Sequence, residues 1–221
     1  MYCLGNHPEI SVVDEPLYAH YLTHQETNAA HPGKAEILAS QVADGAMVVQ
    51  QMLETDYGTP LVVFKQMTHH LIEIDTTFLN EMINVLLIRD PRAILASFSK
   101  VVSGVVAEDI GVPQQYDLYH QLEAKGQKVY IVDARKLLEN PTMVIMELCD
   151  QWGVTFTPSM LTWPAGAREE DGVWAKHWYT NVHKSTGFLP FTPKEYILSP
   201  ELECIARKCT PLYQEMLAMA L

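Results

Sequence analysis

The stretch from Asn84 to Lys100, Asn-Val-Leu-Leu-Ile-Arg-Asp-Pro-Arg-Ala-Ile-Leu-Ala-Ser-Phe-Ser-Lys, constrains the fold more than any other part of the chain. It reads as a buried strand, a tight turn and the first turns of a helix. Val85 to Ile88 is a short, unbroken apolar run, the pattern of a strand covered on both faces in a parallel sheet. Arg89 ends it. Asp90 suits a helix N-cap and Pro91 the first helical position, where no amide hydrogen is lost and φ is already set. A guanidinium at the carboxyl end of a parallel strand, beside a helix N-terminus, lies where open α/β sheets bind their ligands, and its fork geometry matches phosphate. These residues alone leave a second reading open, in which Arg89 only ends the strand and pairs with a nearby carboxylate.

Further strands are predicted at Ile10 to Val13, Leu61 to Phe64 and Val129 to Val132, separated by helical patterns such as Ala35 to Leu53 and Glu139 to Gln151. This alternation implies a parallel α/β sheet. Pro60, Pro91, Pro113, Pro141 and Pro164 punctuate the chain without a linker or internal repeat, so residues 1–221 are expected to form one domain. Pro200 to Leu221 reads as a helix. Trp163 to Pro193, rich in Trp, His, Gly and Pro, has no clear period, and an irregular segment of that length usually serves as a functional cover or loop.

An anion site here must be local, because the net charge is −12 and no long basic run offsets it. That balance argues against nucleic acid or an anionic membrane as partner. The four cysteines form no Cys-x-x-Cys pair, read as core residues, and point to a reduced, cytoplasmic setting. No signal peptide, lipidation motif or membrane-spanning run is evident.

The pattern Arg-Asp-Pro-Arg-Ala-x-x-x-Ser resembles the 3'-phosphate-binding segment of the sulfotransferase family, and Arg89 and Ser97 occupy its places. The resemblance implies a three-layer α/β/α architecture with a parallel sheet, of the P-loop nucleoside triphosphate hydrolase-like kind. It implies 3'-phosphoadenosine 5'-phosphosulfate as sulfuryl donor, with Arg89 and Ser97 holding its 3'-phosphate. The likeness extends over nearly the whole chain, most closely to bacterial and plant sulfotransferase-like proteins, some described as branched-chain aminotransferase-like. Nothing in the residues suggests a pyridoxal phosphate enzyme. Met1 to Leu4 followed by Gly5-Asn6 resembles the last turn of a helix and its C-cap. In the family that helix follows a first strand and a 5'-phosphosulfate loop, so the resemblance predicts an N-terminally shortened chain with an internal Met as its start. No Gly-x-x-x-x-Gly-Lys-Ser occurs.

Val13-Asp14-Glu15-Pro16-Leu17-Tyr18 is similar to the family's acidic-Pro turn after the second strand, which makes Glu15 a candidate base; without the family, the same turn simply caps the next helix. Phe64-Lys65-Gln66-Met67-Thr68-His69-His70 matches the Lys of the family's strand-end Lys-Thr-His motif at Lys65. Met67 stands where that motif has its His, so a catalytic His must come from His69 or His70 or not exist. Sulfuryl transfer is an in-line displacement at sulfur that needs positioning, a base and charge stabilisation on the leaving side, and no metal. On a strand, adjacent His69 and His70 would point to opposite faces, one to the core and one to solvent, a poor chelating pair. Tyr130 to Pro141 resembles an architectural segment of the family, and Trp152 reads as a core residue of the helix that follows. Gly172 to Phe188 lies where the family has a cover over the nucleotide. There Lys184, Ser185, Thr186 and Gly187 suit a second phosphate cradle or, equally, a Trp-rich loop closing a core; the family's Arg-Lys-Gly signature is absent.

The reading is a sulfotransferase-like protein acting on a hydroxyl or amine of a small-molecule acceptor; apolar, carbohydrate and amine acceptors all fit. The alternatives are a non-catalytic nucleotide-binding or scaffold protein that retains the 3'-phosphate site and, more weakly, a nucleotide kinase-like protein, which the missing Gly-Lys-Ser loop disfavours.

Overall fold

The structure is a computed structural model that describes residues 1–25 and 31–221. Its strands are β1 (Ile10–Asp14), β2 (Leu61–Lys65), β3 (Asn84–Ile88) and β4 (Val129–Asp133). Its helices are α1 (Tyr18–His24), α2 (Lys34–Ser40), α3 (Gly45–Glu54), α4 (Pro91–Phe98), α5 (Val112–Ala124), α6 (Ala134–Glu139), α7 (Pro141–Trp152), α8 (Ala175–Trp178), α9 (Thr180–His183) and α10 (Pro200–Ala218). The expected α/β class with parallel strands is what these elements build: β1 pairs with β2 and β3 with β4, both in parallel. The chain, read from its sequence as one domain, packs as two compact units, residues 1–76 with 145–189 and residues 77–144 with 190–221.

In the first unit β1 and β2 run in register from Ile10 opposite Leu61 to Asp14 opposite Lys65. Tyr18, Ala19 and Leu22 on α1 pack with Ile37 on α2 and with Trp174. Asn6, Arg168 and Tyr2 join the start of the chain to the later segment: the Arg168 guanidinium stacks 4.6 Å from the Tyr2 ring centre and donates to Asn6 Oδ1 at 2.8 Å.

In the second unit β3 and β4 run in register from Asn84 opposite Val129 to Ile88 opposite Asp133. Leu86, Ile88 and Ile131 of the sheet meet Leu95 of α4, Val112 and Tyr119 of α5, and Ala206, Cys209, Tyr213 and Met216 of α10. Those four α10 residues recur at three- and four-residue intervals, the spacing that sets one helical stripe against a sheet. Buried Asp133 ends β4 and caps α6, its Oδ1 accepting from the Arg135 and Lys136 amides at 3.0 Å each. Its Oδ2 accepts from the Tyr213 hydroxyl at 2.9 Å.

Several expectations are corrected. Strand β3 is covered on one face only, since Val85 and Leu87 are exposed while Leu86 and Ile88 are buried. The pattern Ala35 to Leu53 is two helices, because the Ser40 hydroxyl bonds back to the Ile37 carbonyl at 3.0 Å and Asp44 caps a new start by accepting from the Met47 amide at 3.0 Å. The helix expected from Glu139 starts at Pro141, where Asn140 Oδ1 accepts from the Met143 amide at 3.3 Å. Cys204 is exposed, unlike the other three cysteines, because it lies off the buried stripe of α10. His69 and His70 do not lie on a strand: they belong to a 3-10 turn, Thr68–Leu71. Both rings turn to the same neighbour, each 4.9 Å from Tyr21.

Candidate functional site

In the first unit the site grows from the register of β1 and β2, which sets Asp14 beside Lys65 at the carboxyl ends of two parallel strands. The pairing extends one step further, the Glu15 amide donating to the Lys65 carbonyl at 2.8 Å. Glu15 then takes φ of +40°, in the left-handed region that non-glycine residues rarely occupy. Gln41 holds this turn from both sides, donating to the Glu15 carbonyl and accepting from the Ala19 amide, each at 3.0 Å.

Glu15 and Asp14 are both buried and share one ammonium. Lys65 Nζ donates to Asp14 Oδ1 at 3.1 Å, to Glu15 Oε1, and to the Tyr179 hydroxyl at 2.7 Å. Burial alone would lower the Lys65 pKa, but the Glu15 and Asp14 carboxylates outweigh it and hold the ammonium above its ordinary range. Two carboxylates against one cation leave an excess negative charge. Burial pushes the Glu15 carboxyl up, opposed by Lys65 and helped by Asp14. That direction suits a group that must accept and release a proton.

His70 is stacked between Tyr18, 4.8 Å and 18° away, and Tyr21, 4.9 Å and 27° away. Its Nε2 lies 4.0 Å from Glu15 Oε2, beyond hydrogen-bond reach, and its Nδ1 is buried without a partner among the described residues. Burial, then His69 and Lys65, depress its pKa well below the ordinary value of 6.5. Burial and His31 lower His69 to about 4. Both imidazoles are neutral at pH 7. Of the two, His70 is the one beside the carboxylate.

The irregular segment closes over Asp14. The Gly172 amide donates to Asp14 Oδ2 at 3.2 Å, and Tyr179 donates to its two oxygens at 2.8 and 2.9 Å. Gly172 carries no side chain because a Cβ would fall 2.1 Å from the Trp174 ring. Behind it, Asp171 Oδ2 accepts from the Tyr2 hydroxyl at 2.6 Å and the Arg168 amide at 2.9 Å, with His183 Nε2 at 3.0 Å.

Further on, Ser185 Oγ accepts from Trp163 Nε1 at 2.9 Å and donates to the Val182 carbonyl at 2.6 Å. The Thr186 carbonyl accepts from the Trp163 amide at 3.1 Å, and Gly187 bridges Thr162. These bonds tie Ser185, Thr186 and Gly187 to Thr162, Trp163 and Val182. Lys184 is exposed.

In the second unit, Arg89 stands between the last residue of β3 and the N-cap of α4, where Asp90 Oδ1 accepts from the Arg92 amide at 2.8 Å. Arg89 and Ser97 are both exposed, and Arg89 makes no ion pair among the described residues. The neighbouring Arg92 is spent on structure, pairing with Glu203 and donating to the Tyr196 carbonyl at 2.9 Å.

Asp14, Tyr179 and Gln41 were not singled out from the sequence. Asp14 had a local signal, a strand-end position next to Glu15. Tyr179 and Gln41 had none, since their partners lie far away in the chain. Among the described residues, no group of three or more His, Cys, Asp or Glu is arranged to hold a metal ion, and no helix is long and apolar enough to cross a membrane.

A family model described as a sulfotransferase domain matches residues 1–220. The chain is 34% identical over 219 residues to the Arabidopsis thaliana protein named branched-chain-amino-acid aminotransferase-like protein 2, covering 96% of this chain and 38% of that protein. It is 34% identical over 200 residues to the Arabidopsis protein numbered 1 in the same series, covering 89% and 35%. The chain thus spans less than two fifths of the length of these relatives. Among solved structures, the sulfotransferase domain from the curacin biosynthetic pathway is similar with a TM-score of 0.48 and 15% identity, over 91% of this chain and 96% of that one. The sulfotransferase domain from the Synechococcus PCC 7002 olefin synthase follows with a TM-score of 0.37 and 14% identity, over 92% and 94%.

Proposed function

Because the chain belongs to the sulfotransferase domain family, we propose that it serves the transfer of a sulfuryl group from 3'-phosphoadenosine 5'-phosphosulfate to a hydroxyl or amine of a small acceptor. The observation that carries this reading is the cluster of Asp14, Glu15 and Lys65 at the ends of β1 and β2. Glu15, buried and raised in pKa, takes the acceptor's proton; His70 is the nearer of the two histidines, 4.0 Å from its carboxylate. Lys65 places positive charge where the leaving phosphate develops negative charge. The left-handed backbone at Glu15 fits this assignment, since strained residues persist where the surroundings over-determine them and are concentrated at active sites.

Arg89 and Ser97 take the donor's 3'-phosphate. Arg89 suits this task because it is exposed at a strand end without an ion pair among the described residues, so its fork is free for an anion. Lys184, Ser185, Thr186 and Gly187 make up the proposed second cradle. A cytoplasmic setting and a small-molecule acceptor complete the proposal.

A second reading, a nucleotide-binding protein without transfer activity, is favoured by the full engagement of Lys65 with its three acceptors. Two experiments separate the readings. In a thermal unfolding scan, adenosine 3',5'-bisphosphate at a hundredfold its dissociation constant should raise the midpoint by about 5 to 10 °C, with ADP as control. Transfer of radiolabelled sulfate from the donor to members of an acceptor panel then identifies the enzyme. Binding without transfer selects the second reading, and absence of any shift removes both.

A further inference from the structure

The Lys65 ammonium has three N–H donors, and all three are in use. Asp14 and Glu15 accept two of them; the third goes to the Tyr179 hydroxyl, 2.7 Å away. The direction of that bond is fixed, since an ammonium only donates, so the phenol oxygen accepts from Lys65 and spends its own hydrogen on Asp14. The ammonium lies 5.2 Å from the Tyr179 ring centre, beyond the hydroxyl, which makes the oxygen and not the ring face its partner.

The three acceptors are unequal. Two are carboxylates and one is a neutral hydroxyl, and only the carboxylates add the attraction of opposite charges to the ammonium's hydrogen bond. The carboxylates also stand at the ends of paired strands, whereas Tyr179 stands in the irregular segment just beyond α8. For Lys65 to touch an anionic oxygen, one bond must open, and the Tyr179 bond costs least. The lysine side chain is partly open to solvent, 32% exposed.

We propose that Tyr179 is the exchangeable ligand of Lys65, a positioning residue that holds the ammonium between Asp14 and Glu15 and gives way to an anionic oxygen of a phosphate or sulfate. This rests on the reading of Lys65 as the group that meets the donor. The exchange involves no covalent change: one neutral oxygen leaves the ammonium and one charged oxygen takes its place, while Tyr179 keeps its hydrogen on Asp14.

Tyr179→Phe keeps the ring and removes the competing oxygen together with its donation to Asp14. Calorimetric titration with adenosine 3',5'-bisphosphate should show the variant binding about 10- to 100-fold tighter than the parent chain, the worth of one hydrogen bond to a charged group. Equal or weaker binding overturns the proposal. Should neither chain bind the nucleotide, the sulfotransferase reading fails, and inorganic sulfate decides the matter. Its protection of the Lys65 amine from acetic anhydride, read by mass spectrometry, must then reach half-effect at lower concentration in the variant, and equal protection overturns the proposal. If the variant does not fold, fluorotyrosine placed at position 179 of the otherwise unchanged chain supplies the reading. Its fluorine resonance must move when sulfate or nucleotide is added, and an unmoved resonance overturns the proposal.

Discussion

Lys65 and Asp14 stand opposite each other in the final rung of the β1–β2 ladder, Nζ 3.1 Å from Oδ1, so the sheet register that builds the first unit also sets the charges of its site. Removing the cation should expose that dependence. Lys65→Ala leaves two buried carboxylates facing each other and is expected to cost about 2–4 kcal/mol in urea denaturation, short of the fully buried range because the lysine side chain is 32% exposed. Adding Glu15→Gln should recover part of the loss, since one of the two stranded charges is then gone. Strict additivity of the two substitutions would show that the carboxylates do not share the ammonium.

Acid should weaken the fold in a window set by the two histidines. His69 titrates at about 4 when folded against 6.5 for an ordinary imidazole, and His70 is displaced in the same direction. The stability they contribute is therefore present above pH 6.5 and falls as pH drops toward 4, with up to two protons taken up on unfolding. Glu15 works in the opposite sense, its raised folded value favouring the native state until pH rises through it. The balance of two against one leaves stability falling with acid. His70→Phe should flatten the decline in a urea series between pH 7 and 4.5; an unchanged slope would mean that His70 is solvated and ordinary.

Arg89 and Arg92 are three residues apart and should behave oppositely. Arg89→Ala removes an exposed side chain with no ion pair among the described residues, so unfolding in the absence of ligand should move by no more than about 0.5 kcal/mol. The same substitution should erase the thermal shift given by adenosine 3',5'-bisphosphate. Arg92→Ala loses the Glu203 pair and the Tyr196 contact, a partly exposed set worth about 0–1 kcal/mol, and should keep the nucleotide shift. A shift lost in Arg92→Ala and kept in Arg89→Ala would reverse the assignment.

In the second unit, Tyr213→Phe should cost about 1–3 kcal/mol, because Asp133 Oδ2 loses its buried hydroxyl donor. Asp133→Ala should cost more, as it also strips the cap from α6. Hydrogen exchange at the β4 and α10 amides reads both. Protection equal to that of the unsubstituted chain would show that the hydroxyl is not needed to hold the helix on the strand.

What could be read from the residues was whatever depends on near neighbours. Strand, Arg89, Asp90 and Pro91 follow one another in the sequence, and the structure forms them in that order. The break in the pattern from Ala35 to Leu53 was missed because apolar periodicity continues through it, while the Asp44 cap that restarts the helix is a single side chain. The exposed face of β3 was missed because an apolar run reports what a strand prefers to bury, not what covers it. Tyr179 was out of reach for a simpler reason: its meaning lies in Asp14 and Lys65, more than a hundred positions away.

The neck formed by the Thr162–Gly187 bridge and the two Trp163 bonds turns the intervening stretch into a closed ring that carries Asp171, Trp174 and Tyr179. A Cβ at position 187 would lie 2.9 Å from the Leu161 carbonyl, so the neck admits glycine alone without rearrangement. For protein engineering this confines insertions to exposed positions of the ring such as Glu169 and Glu170, since Trp174 and Tyr179 are held by the core and the site. The ring's ends meet at fixed bonds, and closing a longer insert between them costs only a slowly growing entropy, about 0.6 kcal/mol for each doubling of length. A cut by protease at the exposed Glu169–Glu170 stretch would leave both halves tied at the neck, whereas any larger residue in place of Gly187 would disturb the neck itself.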